Sequence, residues 1–286
     1  MNLQLDTTVS FHKTLKRFDD PIFELYKGIQ EEADSVHAST FTKKEFAFSL
    51  ISDLCGLQAH IISKGSFVEA YRWLERYGCF RKRFGGRMRE MLAYFVVDRF
   101  GAEILDYDLA TKDKILSQRL LEYLRIIIPE FWERFDEDLD LPLDDGAECP
   151  FAGTGPQEEN NVFKIRRKTS RHPCDGSEGC AIAALLSNEN VKDKGISLLA
   201  ELRSMVDDDP SKTDELKKIE DFLGRFYEED EHDLCYEMCN SGIGDLIIAM
   251  ETLPTRTLIT TNSKEFSLIC PVIHPEWRLL SEDTAH

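Results

Sequence analysis

The sequence predicts an α/β protein, a three-layer α/β/α domain with a central parallel sheet, carrying a mostly helical insertion. Three observations lead there. Strand-like and helix-like apolar patterns alternate from residue 1 to about 127, the order that builds a parallel sheet covered by helices. The alternation stops in a stretch rich in acid, Gly and Pro at about 129–175, and several helical patterns follow to about 240. It resumes at Gly244 with "GDLIIAMETL" and "RTLITT". One domain built from 1–127 and 242–286 is therefore expected, with an acidic loop and helical insertion at 128–241.

In chain order, "LQLDTTVSF" reads as a short strand running into a helix, with Asp6 at the strand's carboxyl end and Thr7 and Thr8 suited to capping. "PIFELYKGIQEEA" continues as helix, and "SVHAST" has the period-two character of a second strand. From "TKKEFAFSLISDLCGLQAHII" the apolar residues recur at helical spacing, which puts Glu45 in that helix's first turn. Residues 66–100 read as two helices broken near Gly78, with Phe67, Tyr71, Leu74, Leu92, Phe95 and Val96 as core. "AEILDYD" is a strand, and "ATKDKILSQRLLEYLRIII" a helix ending near Pro129. In the insertion, "GISLLAELRSMV" and "TDELKKIEDFLGRFY" are helices flanking a turn at "DDDPSK", and near the end "SLICPVI" reads as a last strand.

The chain has 286 residues, 42% apolar, enough for a self-sustaining core. Eight cysteines are too sparse for a disulfide scaffold. Asp6 interrupts the first apolar stretch, which is unlike a signal peptide, and no run of apolar residues reaches the ~20 needed to cross a bilayer. A cytoplasmic protein without membrane contact is expected. A net charge of -18 argues against nonspecific binding to nucleic acid. The charge is uneven, however: Arg72–Arg89 holds seven Arg or Lys against one Glu, and "KIRRKTSRH" is a second basic run.

Three acids stand at comparable joints: Asp6 at the end of the first strand, Glu45 after the second, Asp245 at the start of a late helix. In a parallel sheet such joints share the carboxyl edge, where sites form. Carboxylates packed together repel unless a cation neutralises them. Mg²⁺ suits such all-oxygen sites, and its use there is phosphodiester chemistry.

With these residues the chain resembles the PIN-domain nucleases. "LQLDTTV" looks like that family's opening strand and its Asp, "HASTFTKKEF" like its second strand and Glu-bearing helix, and "GDLIIAME" like the segment with its third acid. "FGAEILDYDLATKDKILSQRLLEYL" is similar to its middle strand and helix, "LITTNSKEF" to the Thr-x-Asn-x-x-Asp-Phe signature of its toxin-like branches, and "SLICPVIHPEW" to its closing strand. The resemblance implies a metal-dependent endoribonuclease with Asp6, Glu45 and Asp245 as ligands of Mg²⁺ or Mn²⁺. It puts Asn262 where many members carry a fourth Asp, with Glu265 as a substitute charge. A toxin or defence role, an inhibitory protein partner and a homodimer are left open beside it.

RNA is the expected substrate, with Arg81, Lys82, Arg83, Arg166 and Arg167 as contacts to its phosphates. Thr8, Thr260 and Thr261 read as donors to the carboxylates or to phosphate oxygens, with a plain β-branched strand role as the favoured alternative for Thr260. Asp175, before another apolar helix, is a lesser rival to Asp245. A structural Zn²⁺ at Cys149, His172, Cys174 and Cys180 is disfavoured, because there is no CxxC and Cys174 and Cys180 are five intervening residues apart. The competing function is a catalytically weak PIN-like binding or scaffold module, which the neutral Asn262 favours.

Overall fold

The structure, a computed structural model, describes residues 1–15, 20–80, 92, 95, 108–137, 155–165, 181–231, 243–273 and 276–281. It is a mixed α/β fold that divides into two compact units. One comprises 1–46, 134–154 and 167–286; the other, 47–133 and 155–166. These units do not follow the expected boundaries at 127 and 241.

The first unit is built on four parallel strands in the order β2-β1-β5-β6, where β1 is Asn2–Leu5, β2 Ser35–Ala38, β5 Arg256–Thr260 and β6 Trp277–Leu279. Leu3 pairs with Val36 on one side and with Thr257 on the other. Leu3, Leu5, Leu258 and Ile259 are all fully buried, as expected of parallel strands covered on both faces. The period-two alternation sends Ile259 and Leu258 into different cores. Ile259 joins Leu3, Leu5, Val9, Ile22 and Tyr26. These come from β1 and from helices α1 (Thr7–Leu15) and α2 (Pro21–Glu31). Leu258 joins a larger cluster that includes Leu198, Phe222, Ile247 and Phe266.

That larger cluster explains the changed boundaries. Helices α7 (Ala181–Ser187), α8 (Glu189–Ser204) and α9 (Asp214–Glu228) belong to the expected insertion. Their apolar stripes, Leu198, Leu199 and Leu202 on α8 and Leu216, Ile219, Phe222, Leu223 and Phe226 on α9, are buried in one core with α10 (Gly244–Glu251) and α11 (Ser263–Ile273). Burying such stripes is the main source of a helix's stability in a protein. The caps follow the expected chemistry: Thr213 accepts from the Leu216 amide at 3.2 Å, Asn188 from Asn190 at 3.1 Å and Asp20 from Ile22 at 3.0 Å.

The second unit contains a π-helical turn (Ala47–Ile51), α4 (Ser52–Lys64), α5 (Phe67–Phe80), most of α6 (Leu109–Asp136) and a hairpin of β3 (Gln157–Glu159) and β4 (Val162–Lys164). Asn160 and Asn161, both at positive φ (54° and 63°), make the hairpin's two-residue turn. The Gln58 side chain on α4 accepts from the Phe163 amide at 2.7 Å.

Several expectations are corrected. "SLICPVI" is the end of α11, not a strand; Pro271 falls in its last turn, and Pro271 and Ser267, whose carbonyl the proline leaves unpaired, are both exposed, where water serves it. The last strand is β6 instead. Likewise α6 runs through Pro129 to Asp136, because the buried series Leu120, Leu124, Ile127, Ile128, Phe131 and Phe135 keeps helical spacing across the proline. Helix α5 continues past Gly78 to Phe80, and Tyr71 is exposed, while Leu74, Leu92 and Phe95 are buried. The expected irregular stretch at 129–175 contains the end of α6 and the β3–β4 hairpin. The expected strand at 102–107 and core residue Val96 lie outside the described residues.

One helical stretch, Phe41–Lys64, has by length and composition the character of a membrane span, contrary to the expectation that none exists. Half of its most apolar window is buried within the protein, as in the core helix of a soluble fold.

Candidate active site

The carboxyl ends of β1, β2 and β5 lie on one edge of the sheet, because the strands are parallel neighbours. Asp6 is the first residue after β1, and its amide donates to the Ile259 carbonyl at 3.1 Å, which ties it to the end of β5. Its carboxylate is 2% exposed. Oδ1 accepts from the Val9 amide at 2.8 Å, so Asp6 caps α1. The Thr8 hydroxyl donates to Oδ1 and Oδ2 at 2.9 Å each, and Thr260 donates to Oδ2 at 2.5 Å. With the Thr8 amide also donating, these partners hold the carboxylate fixed in direction.

Thr260 is the hub, a donor to Asp6 where the sequence favoured a plain strand residue. Its Oγ1 donates to Asp6 and accepts from the Asn262 amide at 2.9 Å. Asn262 then donates from Nδ2 to Asp245 Oδ2 at 2.8 Å. Asp6 and Asp245, 239 positions apart in sequence, are thus joined through two residues of the β5 terminus. Thr261 closes a second path by donating to Thr8 at 2.7 Å. Period-two alternation was the available signal for Thr260: its neighbour Ile259 serves the opposite face.

Glu45 arrives from α3 (Thr40–Phe46), in the second turn rather than the first as expected. The helix starts earlier because the Ser39 hydroxyl accepts from the Thr42 amide at 2.9 Å. Thr7 donates to Glu45 Oε2 at 2.5 Å, a role that capping alone did not suggest. Glu45 also lies against Gly244, the first residue of α10, next to Asp245. A methyl group built on Gly244 would collide with the Glu45 carboxylate, and would stand 3.1 Å from Phe41 Cε1. Gly244→Ala is therefore expected to displace Glu45 and lower activity at this site about tenfold or more while the protein stays folded, as read by steady-state kinetics alongside circular dichroism.

Burial pushes the Asp6 carboxyl above its ordinary range against the pull of the Thr260, Val9 and Thr8 hydrogen bonds. For Glu45, burial also raises it, the Thr7 hydrogen bond opposes this, and the Asp6 charge adds to the rise. Cys270 on α11 senses the same acids: burial, with the charges of Asp245 and Asp6 added, pushes its thiol up to about 12. Two carboxylates therefore act on one thiol.

Asp6, Glu45, Asp245 and Asn262, with Thr8 and Thr261, are brought into one connected site. No protein-family model, curated protein or solved structure matches the chain. The site stands on its own chemistry: its donors are oxygens, Asp6 is buried while Glu45 and Asp245 are half-buried, and the Asp6 charge raises the Glu45 carboxyl; hard divalent cations take oxygen donors. Among the described residues, no three His, Cys, Asp or Glu side chains already stand at metal-holding spacing. Glu265 points away from this role: it is buried and accepts from Thr213 at 3.3 Å, across the N-terminus of α9. Arg81, Lys82, Arg83, Arg166, Arg167, Asp175 and the four residues of the disfavoured zinc site, Cys149, His172, Cys174 and Cys180, lie outside the described residues.

Proposed function

We propose that the chain is a metal-dependent endoribonuclease of PIN type, with a three-layer PIN-like core, that hydrolyses RNA phosphodiester bonds. The observation that carries this reading is the path Asp6–Thr260–Asn262–Asp245, which joins acids from the two ends of the chain at the carboxyl edge of a parallel sheet. Asp6, Glu45 and Asp245 would hold Mg²⁺ or Mn²⁺. Such an ion, when bound, acidifies a coordinated water and offsets charge on the phosphate.

The remaining work falls to the chain's own side chains. Thr8 and Thr260 fix the plane of Asp6, and Thr7 fixes Glu45, so neither acid must reorient when a substrate arrives. Burial of Asp6 and Glu45 keeps bulk water from screening them. Asn262 has committed Nδ2 to Asp245, and its amide oxygen remains to orient water or a ribose hydroxyl. The expected result is cleavage of single-stranded RNA that stops in EDTA, returns with Mn²⁺, and is abolished by Asp6→Asn and Asp245→Asn. Activity that survives both substitutions contradicts the assignment.

A second reading, a PIN-like binding module of low activity, draws on one feature: Asn262 supplies no charge where a fourth acid would. It predicts a Mn²⁺-dependent thermal shift without RNA cleavage. A toxin or defence role and an inhibitory partner rest on the resemblance alone.

A further inference from the structure

Helix α1 carries Thr8 of the acid site at its N-terminus, and only a narrow face of it reaches solvent. Thr7, Val9, Ser10, Phe11, Lys13 and Thr14 are buried, which leaves Thr8, His12 and Leu15 as the partly exposed stripe. Residues four apart are neighbours on a helix surface, with Cβ atoms about 5–6 Å from each other. His12 therefore stands one turn beyond Thr8, on the face that leads away from the acids.

Of the two basic residues in the last turn of α1, His12 and Lys13, only one is available to a ligand. The Lys13 ammonium is buried on the Arg134 and Phe135 carbonyls, at 3.1 and 3.0 Å, and on that of Glu137. His12 is 33% exposed, and its Nδ1 lies 2.6 Å from Asp20 Oδ2. Asp20 is itself held: Oδ1 accepts from the Ile22 and Phe23 amides at the start of α2. Burial pushes the Asp20 carboxyl up, but the His12 ring and these amides hold it below its ordinary range, as a carboxylate. A carboxylate on Nδ1 fixes a ring's orientation and places a proton on that nitrogen. Among the described residues Nε2 has no partner.

We infer that His12, oriented by Asp20, is a positioning residue for the RNA strand: its Nε2 contacts a backbone phosphate adjacent to the one held at the acid site. This rests on the ribonuclease reading of that site. An imidazole with a proton on each nitrogen donates from Nδ1 to a carboxylate and from Nε2 to a phosphate oxygen at once. Cleavage itself does not pass through His12, so its loss weakens substrate binding rather than turnover.

Two substitutions separate this role from a purely structural stitch between α1 and α2. His12→Asn keeps an amide where Nδ1 meets Asp20 and deletes the outward nitrogen, whereas His12→Gln places an amide nitrogen near the position of Nε2. In the full-length chain, His12→Asn is expected to raise KM for a single-stranded RNA about tenfold with kcat unchanged. His12→Gln should recover most of that loss. In the Asp245→Asn background, direct titration of the same RNA, uncleaved, should show the same tenfold weakening on His12→Asn, with unfolding midpoints unaltered. If cleavage proceeds and His12→Asn leaves KM and Kd unchanged, the inference about His12 is overturned and the ribonuclease reading stands. If the unmodified protein neither binds nor cleaves RNA, both fall.

Discussion

Asp6→Asn is expected to lower RNA cleavage by on the order of 10²–10³-fold or more and, in metal-free buffer, to leave the fold intact with a higher unfolding temperature at neutral and alkaline pH. Both effects come from one carboxylate. Asp6 is 2% exposed, burial raises its pKa, and its charge works against Glu45. Asparagine keeps an oxygen for the Val9 amide and the Thr8 hydroxyl, puts its amide nitrogen where Oδ2 met Thr260, whose hydroxyl would then accept, and removes the charge. The linkage has a definite sign: a carboxyl whose folded pKa lies above its unfolded value contributes stability that is full below the unfolded pKa and is lost as pH rises through the folded one. The variant should therefore gain most at neutral and alkaline pH. A functional site that destabilises its own apo-protein is a common trade. Asp245→Asn should match the loss of activity.

The second large effect lies at the other end of α10. Glu251 is buried, its Oε2 has no partner among the described residues, and burial pushes its carboxyl from an ordinary 4.5 to about 7, with the Ser39 hydroxyl pulling back only in part. Below pH 4.5 the group is neutral in both folded and unfolded chains. Between 4.5 and 7 only the folded chain keeps the proton, so stability falls across that window as pH rises. The loss amounts to about 3 kcal/mol by pH 8, at about 1.4 kcal/mol per pKa unit. Glu251→Gln removes the titration, so urea unfolding at pH 5 and pH 8 should show a pH dependence smaller by about this amount. Equal pH dependence in the two proteins contradicts the placement of Glu251. Ser39, which donates to Glu251, also caps α3, the helix that carries Glu45.

The strands β1, β2 and β5, the helices α8 to α10 and the three acids at strand or helix ends were legible in the sequence, because each depends on local pattern: period two, period 3.6, a cap, a break. What failed depended on competition between local and distant terms. Pro129 read as a stop and Pro271 as part of a strand, yet burial of Phe131 and Phe135 in one case and of Ile269 and Ile273 in the other outweighs a single lost hydrogen bond. Thr260 read mainly as strand filler because its partners, Asp6 and Asn262, meet it only once β1 and β5 pair. Thr7 was hidden in the same way, since Glu45 reaches it from another element. The division into units was illegible for the same reason: the stripes of α8 and α9 show that they bury a face, not which partner they bury it against.

The most direct test of the acid site as a metal centre is a Mn²⁺ titration followed by electron paramagnetic resonance, with and without Asp6→Asn. The account predicts one saturable Mn²⁺ per unmodified chain, with affinity weakened at least a hundredfold by Asp6→Asn. Equal Mn²⁺ binding by the two proteins, or no saturable binding by either, would contradict it.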